Sequence, residues 1–279
     1  MLDHDTIVRH AYQLQPLPQS CTRLIALVGQ DLPDVKDITE VICYDPVLTA
    51  KLLRVANSAY YCTGRSIGTV KEAVIRLGAN TVFGLAVAGC AEPVLQQSVP
   101  GYALPAAELW RHSTATALAA ELAKNYCRVS WPTMAYTAAL LHDLGKLILG
   151  KFLTPELRAL CQRAVDEGDL APHQAEAEVL SLHHGEVSGV IAQHWKLPPE
   201  IVSGVTYHHA PEEGRETICF TTHLANAIAR QITGSPVRTE AEQRALDATR
   251  ERLGLTQDGF ERLAEAAAQR LDEVSSRFV

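Results

Sequence analysis

The chain reads Leu-Leu-His-Asp-Leu-Gly-Lys over residues 140–146, in the middle of the predominantly apolar segment 137–149. The helical spacing of the apolar residues on both sides predicts a helix whose buried face carries His142 and Asp143. Histidine and aspartate are costly to bury unless they are paired, hydrogen-bonded or bound to a metal. An inward-pointing imidazole beside a carboxylate therefore indicates either a metal site or a buried hydrogen-bonded pair.

The histidines are distributed unevenly along the chain. Of the 11 histidines, only His4 and His10 precede residue 112, and the other nine fall between His112 and His223. Neutral imidazole is the commonest protein ligand for transition metals, and carboxylates complete such sites. The second half of the chain is thus a candidate metal-binding lobe.

The order of these residues resembles the motif of the HD superfamily of metal-dependent phosphohydrolases, in which a lone histidine, a His-Asp pair, further histidines and a late aspartate follow one another. The resemblance assigns metal-ligand positions to His112, His142, Asp143, His184, His208, His209 and, at the final position, Asn226. Among these, it assigns the last three histidines to the second metal of two-metal members. For His173, His183, His194 and His223 we expect surface or supporting positions.

Two positions bear on hydrolysis. Asn226 stands where the resemblance implies an aspartate, and an amide in place of a carboxylate removes one negative charge from the site. Lys146 matches the position at which hydrolytic relatives place a phosphate-binding lysine, so it is the candidate catalytic residue if the protein is a hydrolase. Its alternative interpretation is a solvated lysine near a helix end.

Further segments, in the same order along the chain, resemble the HDOD family, the HD-related output domain of bacterial signalling proteins. They include Leu-Gln-Pro-Leu-Pro (14–18), Asp-Pro (45–46), Asn-Ser (57–58), Ile-Arg-Leu-Gly (75–78), His-His-Gly (183–185) and Tyr-His-His-Ala-Pro (207–211). The match covers roughly residues 10 to 235, far more than a short motif. The Gly-Tyr-Pro segment typical of cyclic dinucleotide hydrolases does not follow His209.

The resemblance implies a bacterial regulatory protein that acts by protein–protein interaction without hydrolase activity. Its implied partners are signalling proteins, namely a kinase, a receiver protein or a cyclic dinucleotide enzyme, and it could form a homodimer. Two alternatives remain: a metal-dependent phosphohydrolase acting on nucleotides or cyclic nucleotides, and a sensor that binds metal or ligand without turnover. A divalent ion such as Fe, Zn, Mn or Ni is the expected cofactor.

Composition narrows the function classes. A net charge of −7 argues against binding to a phosphate backbone, so no nucleic acid partner is expected. The apolar runs fall short of the ~20 residues of a membrane span, and the acidic N-terminus does not resemble a secretory signal, so we expect a cytoplasmic protein without a membrane partner. Seven scattered cysteines without a Cys-x-x-Cys pair predict neither disulfides nor a cysteine zinc site.

Apolar periodicity predicts helices nearly throughout the chain, including one from about Pro132 to Phe152, and no convincing strand. The predicted fold class is all-α, a multi-helix HD-like bundle with an N-terminal helical lobe. Breaks rich in proline and glycine predict three parts: an N-terminal lobe (1–100), a histidine-rich lobe (101–235) and a C-terminal helical tail (236–279). The tail is amphipathic and could cap the lobe or pair with a partner.

Overall fold

The computed structural model describes residues 4–14, 16–28, 34–58, 61, 64–168, 170–235 and 239–275. Within these ranges the chain is helical and has no β-strand; an isolated bridge joins Val99 and Leu104. The predicted all-α fold class is confirmed. None of the described helices is long and apolar enough to cross a membrane.

Helices of varied length follow one another along the chain. They are α1 (His4–Tyr12), α2 (Gln19–Val28), α3 (Val35–Cys43), α4 (Pro46–Ala56), α5 (Val70–Leu77), α6 (Ala79–Leu95), a 3-10 turn (Pro100–Tyr102), α7 (Glu108–Ala123), α8 (Ala135–Leu141), α9 (Lys146–Leu149), α10 (Pro155–Gly168), α11 (Pro172–Leu180), α12 (His184–His194), α13 (Pro199–Thr206), α14 (Pro211–Gly214), α15 (Thr217–Ile232), α16 (Glu240–Leu253) and α17 (Gln257–Ser275).

The helix ends follow from local side-chain chemistry. Asp45 caps α4 by accepting hydrogen bonds from the backbone N–H groups of Val47 and Leu48, and Pro46 occupies the first turn. Gly78 ends α5 with a φ of 81°, a backbone conformation that favours glycine. These side-chain caps and backbone conformations fix where α4 begins and where α5 ends.

Backbone contacts divide the chain into two compact units. One comprises Met1–Leu14, Leu95–His194 and Pro199–Val279, and the other comprises Gln15–Val94 and Trp195–Pro198. Unlike the three parts expected from breaks in the sequence, the first unit includes α1, which packs against α9 and α12, and the tail helices α16 and α17, which both pack against α15. The predicted boundary at residue 235 adjoins residues 236–238, which lie outside the described ranges.

The first unit contains the histidine-rich lobe and the tail helices. Alanines of α7 and α8 allow these helices to pack closely, and α15 completes the same core. The apolar face of the tail is buried here through Leu253, Leu255, Phe260, Leu263, Ala267 and Leu271. The tail therefore caps the histidine-rich lobe, which is one of the two roles that its amphipathic sequence suggested.

The helix predicted from about Pro132 to Phe152 is interrupted, and this prediction was wrong. Helix α8 ends at Leu141, a tight turn carries His142 and Asp143, and α9 begins at Lys146. Ser188 Oγ causes part of the break, because it donates to the carbonyl oxygen of His142 at 2.6 Å and accepts from Gly145 N–H at 2.8 Å. These bonds divert backbone groups that a continuous helix would have paired.

A second correction concerns the cysteines. The structure joins Cys21 of α2 to Cys90 of α6 by a disulfide within the second unit, although the sequence predicted none. The two residues are 69 positions apart and share no motif, so the surrounding sequence did not indicate that they would pair. Among the described cysteines, Cys43, Cys127, Cys161 and Cys219 are free thiols.

Candidate metal centre

The candidate site lies entirely within the first unit, where several chain segments meet. The residues that the sequence singled out come from α7 (His112), the turn after α8 (His142, Asp143), the start of α9 (Lys146), the start of α12 (His184), the segment after α13 (His208, His209) and α15 (Asn226). Ligand-capable atoms of His112, His142 and Asp143 lie within 4.8 Å of one another, as do those of His184, His208 and His209. The structure thus brings all eight side chains to one place.

Asp143 connects the two groups. Its Oδ2 lies 2.7 Å from Lys146 Nζ and 3.4 Å from His142 Nε2. The same oxygen is 3.5 Å from His112 Nε2, and Oδ1 is 3.2 Å from His184 Nε2. Burial opposes ionisation of this carboxyl, but the surrounding groups, above all His142 and Lys146, outweigh it and hold the pKa of Asp143 well below its usual range.

Two buried histidines have tautomers that hydrogen bonding assigns. His142 Nδ1–H donates to the carbonyl oxygen of Ala139 at 2.7 Å, and His208 Nδ1–H donates to that of Val205 at 2.7 Å. Each Nε2 therefore carries a lone pair, and both Nε2 atoms are buried without a hydrogen-bond partner. Burial lowers the pKa of both imidazoles and keeps them neutral. Unpartnered buried lone pairs of this kind fit a metal ion.

His184 is oriented by Glu176, a residue that the sequence analysis missed. Nδ1–H of His184 donates to Glu176 Oε2 at 2.6 Å, and the backbone N–H of His184 donates to the same oxygen at 2.9 Å. Burial disfavours the charged imidazole, but Glu176 outweighs it and raises the pKa of His184. A carboxylate behind a histidine is the usual support of a metal ligand. Its position one helical turn before buried Leu180 was the available clue.

His209 faces His184 directly. Their Nε2 atoms are 2.9 Å apart, and two lone pairs at this distance repel each other unless a proton or a cation lies between them. His173 stacks on the ring of His209 with ring centroids 4.3 Å apart and an interplanar angle of 5°. Burial holds the pKa of His209 well below its usual range. His173 therefore supports the orientation of His209.

Asn226 contacts the first histidine of the set. Its Oδ1 lies 3.2 Å from His112 Nε2, and the side chain is buried on α15. Burial lowers the pKa of His112 to about 3, so this imidazole is neutral at physiological pH. The neutral amide and the neutral imidazole form a hydrogen-bonded pair at the edge of the site.

The remaining histidines hold supporting or peripheral positions. His223 Nδ1–H donates to the carbonyl oxygen of His208 at 2.8 Å, which holds the segment that carries His208 and His209. His183 accepts from Gly185 N–H at the start of α12. His194 packs edge-on against Tyr12 with ring centroids 5.4 Å apart.

A cavity of about 390 Å³ opens onto this group of side chains. Its lining includes His112, Asp143 and His184 together with the cationic side chains of Lys146, Arg158 and Arg230. The donor set, with imidazole nitrogens and one carboxylate, is the kind that binds divalent transition metals. The cavity gives an anionic molecule room beside it.

Comparison with known proteins identifies a matching family model and a related sequence. A family model described as the HDOD domain matches residues 14–211. A Treponema pallidum (strain Nichols) protein described as uncharacterized is 28% identical over 232 residues, which are 80% of this chain and 44% of that protein. The chain thus spans less than half the length of that relative.

Two solved structures have the same overall fold. A candidate phosphohydrolase from Shewanella amazonensis SB2B is 26% identical, with a TM-score of 0.70 and 97% of each chain covered. A candidate signal transduction protein from Marinobacter aquaeolei VT8 is 21% identical, with a TM-score of 0.72 over 99% of this chain and 66% of that one. These likenesses agree with the HD-like helical fold expected from the sequence.

Proposed function

The chain belongs to the HDOD domain family, and on this basis we propose that it is a regulatory protein of bacterial signal transduction that acts by binding other proteins and does not hydrolyse phosphate esters. The support for this proposal comes from the charge of the candidate metal centre. Family membership gives the class of protein, whereas the side chains at the centre bear on whether it retains catalysis.

The main support for the proposal is that the candidate metal centre contains little negative charge. Asp143 supplies one carboxylate, and its Oδ2 is already paired with Lys146 at 2.7 Å. Asn226 supplies a neutral amide where the HD resemblance implies a carboxylate, and this amide pairs with His112. A two-metal hydrolytic centre must offset two dications and stabilise a hydroxide. These side chains favour metal retention over hydrolysis.

The residues that would hold a divalent ion are those of the two groups around Asp143. His142 and His208 present unpartnered Nε2 atoms, and Glu176 holds the imidazole of His184 in place through Nδ1–H. When bound, the ion would supply positive charge. Its ligands would connect the turn after α8, the start of α12 and the segment after α13. Fe, Zn, Mn and Ni suit such ligands, and the side chains alone do not choose among them.

The proposed partners are signalling proteins: a kinase, a receiver protein or a cyclic dinucleotide enzyme. Two copies of the chain could also associate as a homodimer. A net charge of −7 disfavours nucleic acid as a partner, and a cytoplasmic location is part of the same proposal.

A metal-dependent phosphohydrolase acting on nucleotides or cyclic nucleotides is the second candidate function. The cavity favours it, because Lys146, Arg158 and Arg230 line the space beside Asp143. In that case Lys146 would hold the phosphate as the catalytic residue. The Shewanella amazonensis neighbour, named as a candidate phosphohydrolase, has the same fold at 26% identity.

Elemental analysis and a turnover assay on one tag-free preparation test the proposal. Wild-type protein is compared with the His142→Ala/Asp143→Ala double variant and with Arg65→Glu, an exposed position in the second unit. We expect metal in the wild type and in Arg65→Glu, loss of metal in the double variant, and no hydrolysis of phosphodiesters or nucleotides by any of them.

Each departure from this pattern has a definite meaning. Metal retained by the double variant contradicts the ligand assignment. Turnover by the wild type that disappears in the double variant establishes the hydrolase and overturns the proposal. Absence of both metal and turnover leaves a histidine-lined scaffold that functions through protein contacts.

A further inference from the structure

A second cavity, of about 160 Å³, lies within the first unit, with walls formed by α11, α15 and α16. It adjoins the larger cavity beside the candidate metal centre, with which it shares His209, Asn226 and Arg230 in its lining. Helix α16 packs on α15 but lies beyond residues 14–211, which the HDOD family model matches. The tail of this chain therefore builds part of the cavity, and the family resemblance does not imply it.

The walls of this second cavity are rich in small apolar side chains. Five alanines contribute to the lining: Ala171, Ala210, Ala227, Ala241 and Ala245. Their methyl groups present apolar surface and leave space that larger side chains would fill. An apolar cavity of about 150 Å³ is large enough to bind benzene. The space between these helices therefore suits a molecule of about one six-membered ring.

The charged side chains of the lining are paired with each other. Arg230 Nη1 of α15 lies 2.6 Å from Glu242 Oε1 of α16. An ion that entered the cavity would lose its hydration without gaining a counter-charge that is not already compensated. The lining therefore favours a neutral ligand over a charged one.

Two histidines of the lining have ring nitrogens that need a partner. His223 Nε2 and His173 Nδ1 are buried, and neither has a hydrogen-bond partner in the part of the chain that the structure describes. Nδ1–H of His223 donates to the carbonyl oxygen of His208 at 2.8 Å, and burial lowers the pKa of this imidazole. Its Nε2 is therefore an acceptor. Because an unpaired buried acceptor is costly, a ligand that donates a hydrogen bond to it would be stabilised.

We propose that this cavity binds a small neutral molecule, whose apolar body has the size of about one ring and whose O–H or N–H group donates to His223 Nε2. The inference goes beyond the proposed function and does not require a bound metal. Both histidines also support the neighbouring pair, because His223 holds the carbonyl group of His208 and His173 stacks on the ring of His209. The ligand would thus contact the supports of the candidate metal centre, as a small-molecule signal for a regulatory protein could.

Two probes that differ in one hydrogen-bond donor test the proposal. 4-Fluorophenol has an O–H group, whereas 4-fluoroanisole has the same fluorinated ring with a methyl ether in its place. Each is titrated with tag-free wild-type protein and followed by ¹⁹F NMR. We expect saturable binding of 4-fluorophenol with a Kd of about 1 mM or below. 4-Fluoroanisole should bind at least about tenfold more weakly, because it leaves His223 Nε2 without a donor.

A matched pair of variants locates the bound probe. Ala245→Leu places a larger side chain in the cavity and should weaken the binding of 4-fluorophenol at least about tenfold. Ala248→Leu makes the same change at an exposed position of α16 and should leave binding unchanged. Thermal unfolding shows whether each variant is folded. Ala241→Leu, which fills the cavity from another position of α16, takes the place of Ala245→Leu if that variant does not fold.

Three outcomes overturn the inference. Absence of saturable binding to the wild type means that the cavity holds water only. Equal affinity for the two probes means that no donor to His223 is needed. Unchanged binding in a folded variant that fills the cavity means that the probe lies elsewhere. Because the assay contains neither added metal nor a phosphate ester, its result is independent of the test of the proposed function.

Discussion

At the scale of single residues, Asp143 and its neighbours determine the chemistry of the site. One oxygen of this buried carboxylate pairs with Lys146 and the other approaches His184. The residues behind the candidate ligands also fix how these side chains are oriented. Glu176 accepts a hydrogen bond from Nδ1–H of His184, and backbone carbonyl groups fix the tautomers of His142 and His208. The donor atoms are therefore oriented by the protein itself.

Replacement of Glu176 by glutamine should weaken metal binding. The charge behind His184 disappears, and a neutral amide holds the Nδ1–H less firmly, so metal affinity should fall about 10- to 100-fold. Titration calorimetry with Co²⁺ measures this. The control is Glu178→Gln, at an exposed position of the same helix, which should leave the affinity unchanged. Equal affinity in the two variants would remove Glu176 from the site.

The sequence singled out side chains that lie together in the structure, but it did not single out the residues that support them. His112, the His142–Asp143 pair and the later histidines follow a recognisable order, and the structure brings them together. Glu176 was missed because its partner His184 lies eight positions away, on the next helix. Helical periodicity does not show contacts between helices. Whether these residues bind metal stays a prediction.

At the scale of secondary-structure elements, the turn between α8 and α9 is the feature that positions the His-Asp pair. Ser188 of α12 bonds to both sides of this turn, through the carbonyl oxygen of His142 and the N–H of Gly145. The continuous helix predicted for this segment would have lacked these bonds. The apolar periodicity continues through the turn, so the sequence pattern gave no indication of the break.

Substitution of Gly145 by alanine should destabilise the protein strongly. A Cβ atom there would lie 2.0 Å from the carbonyl oxygen of His184, so α12 would have to move away from the turn. We expect a loss of about 3 kcal/mol in unfolding free energy, measured by urea denaturation. Gly68→Ala is the matched control, because no atom lies within 4 Å of its added Cβ. Similar stabilities for both variants would show that the two elements do not approach so closely.

The cap of α4 gives a pH-dependent prediction. Hydrogen bonds from Leu48 N–H and Ser20 hydroxyl lower the pKa of Asp45 from its ordinary value of 3.8. A lowered folded-state pKa means that the carboxylate stabilises the fold above pH 3.8 and that this contribution is lost as the pH falls through the folded value. Asp45→Ala should therefore cost about 1 kcal/mol at pH 7 and less in acid.

Denaturation curves at about pH 7 and about pH 3 measure this effect. Asp37→Ala, at an exposed position of α3, serves as the control and should cost at most about 0.5 kcal/mol. A cost for Asp45→Ala that stayed the same at both values of pH would show that the charged form of Asp45 contributes nothing to the cap.

At the scale of the whole molecule, the sequence predicted the all-α fold class but not which distant segments pack together. Helix α1 joins the unit that contains the histidines, and the tail helices cover α7 and α15. Such contacts depend on packing between segments that are distant along the chain. The Cys21–Cys90 disulfide is another example, since the surrounding sequence does not mark either cysteine.

Peptide mapping tests this disulfide. Protein alkylated under denaturing, non-reducing conditions should yield a linked pair of peptides containing Cys21 and Cys90, with Cys43 and Cys127 alkylated. Because the bond closes a long loop, its reduction should lower the unfolding free energy by about 4 kcal/mol. A Cys90→Ser variant should be insensitive to reductant. Free Cys21 in the mapped wild type would contradict the structure.

A metal site retained without phosphate-ester hydrolysis is the central claim, and a single-turnover experiment tests it most directly. Co²⁺-loaded wild-type protein, in excess over bis(p-nitrophenyl) phosphate, is followed for release of p-nitrophenol beside Asp143→Ala, so that slow product release cannot hide the chemical step. The two traces should coincide. Release of product by the wild type that Asp143→Ala fails to show would contradict the claim and identify a hydrolase.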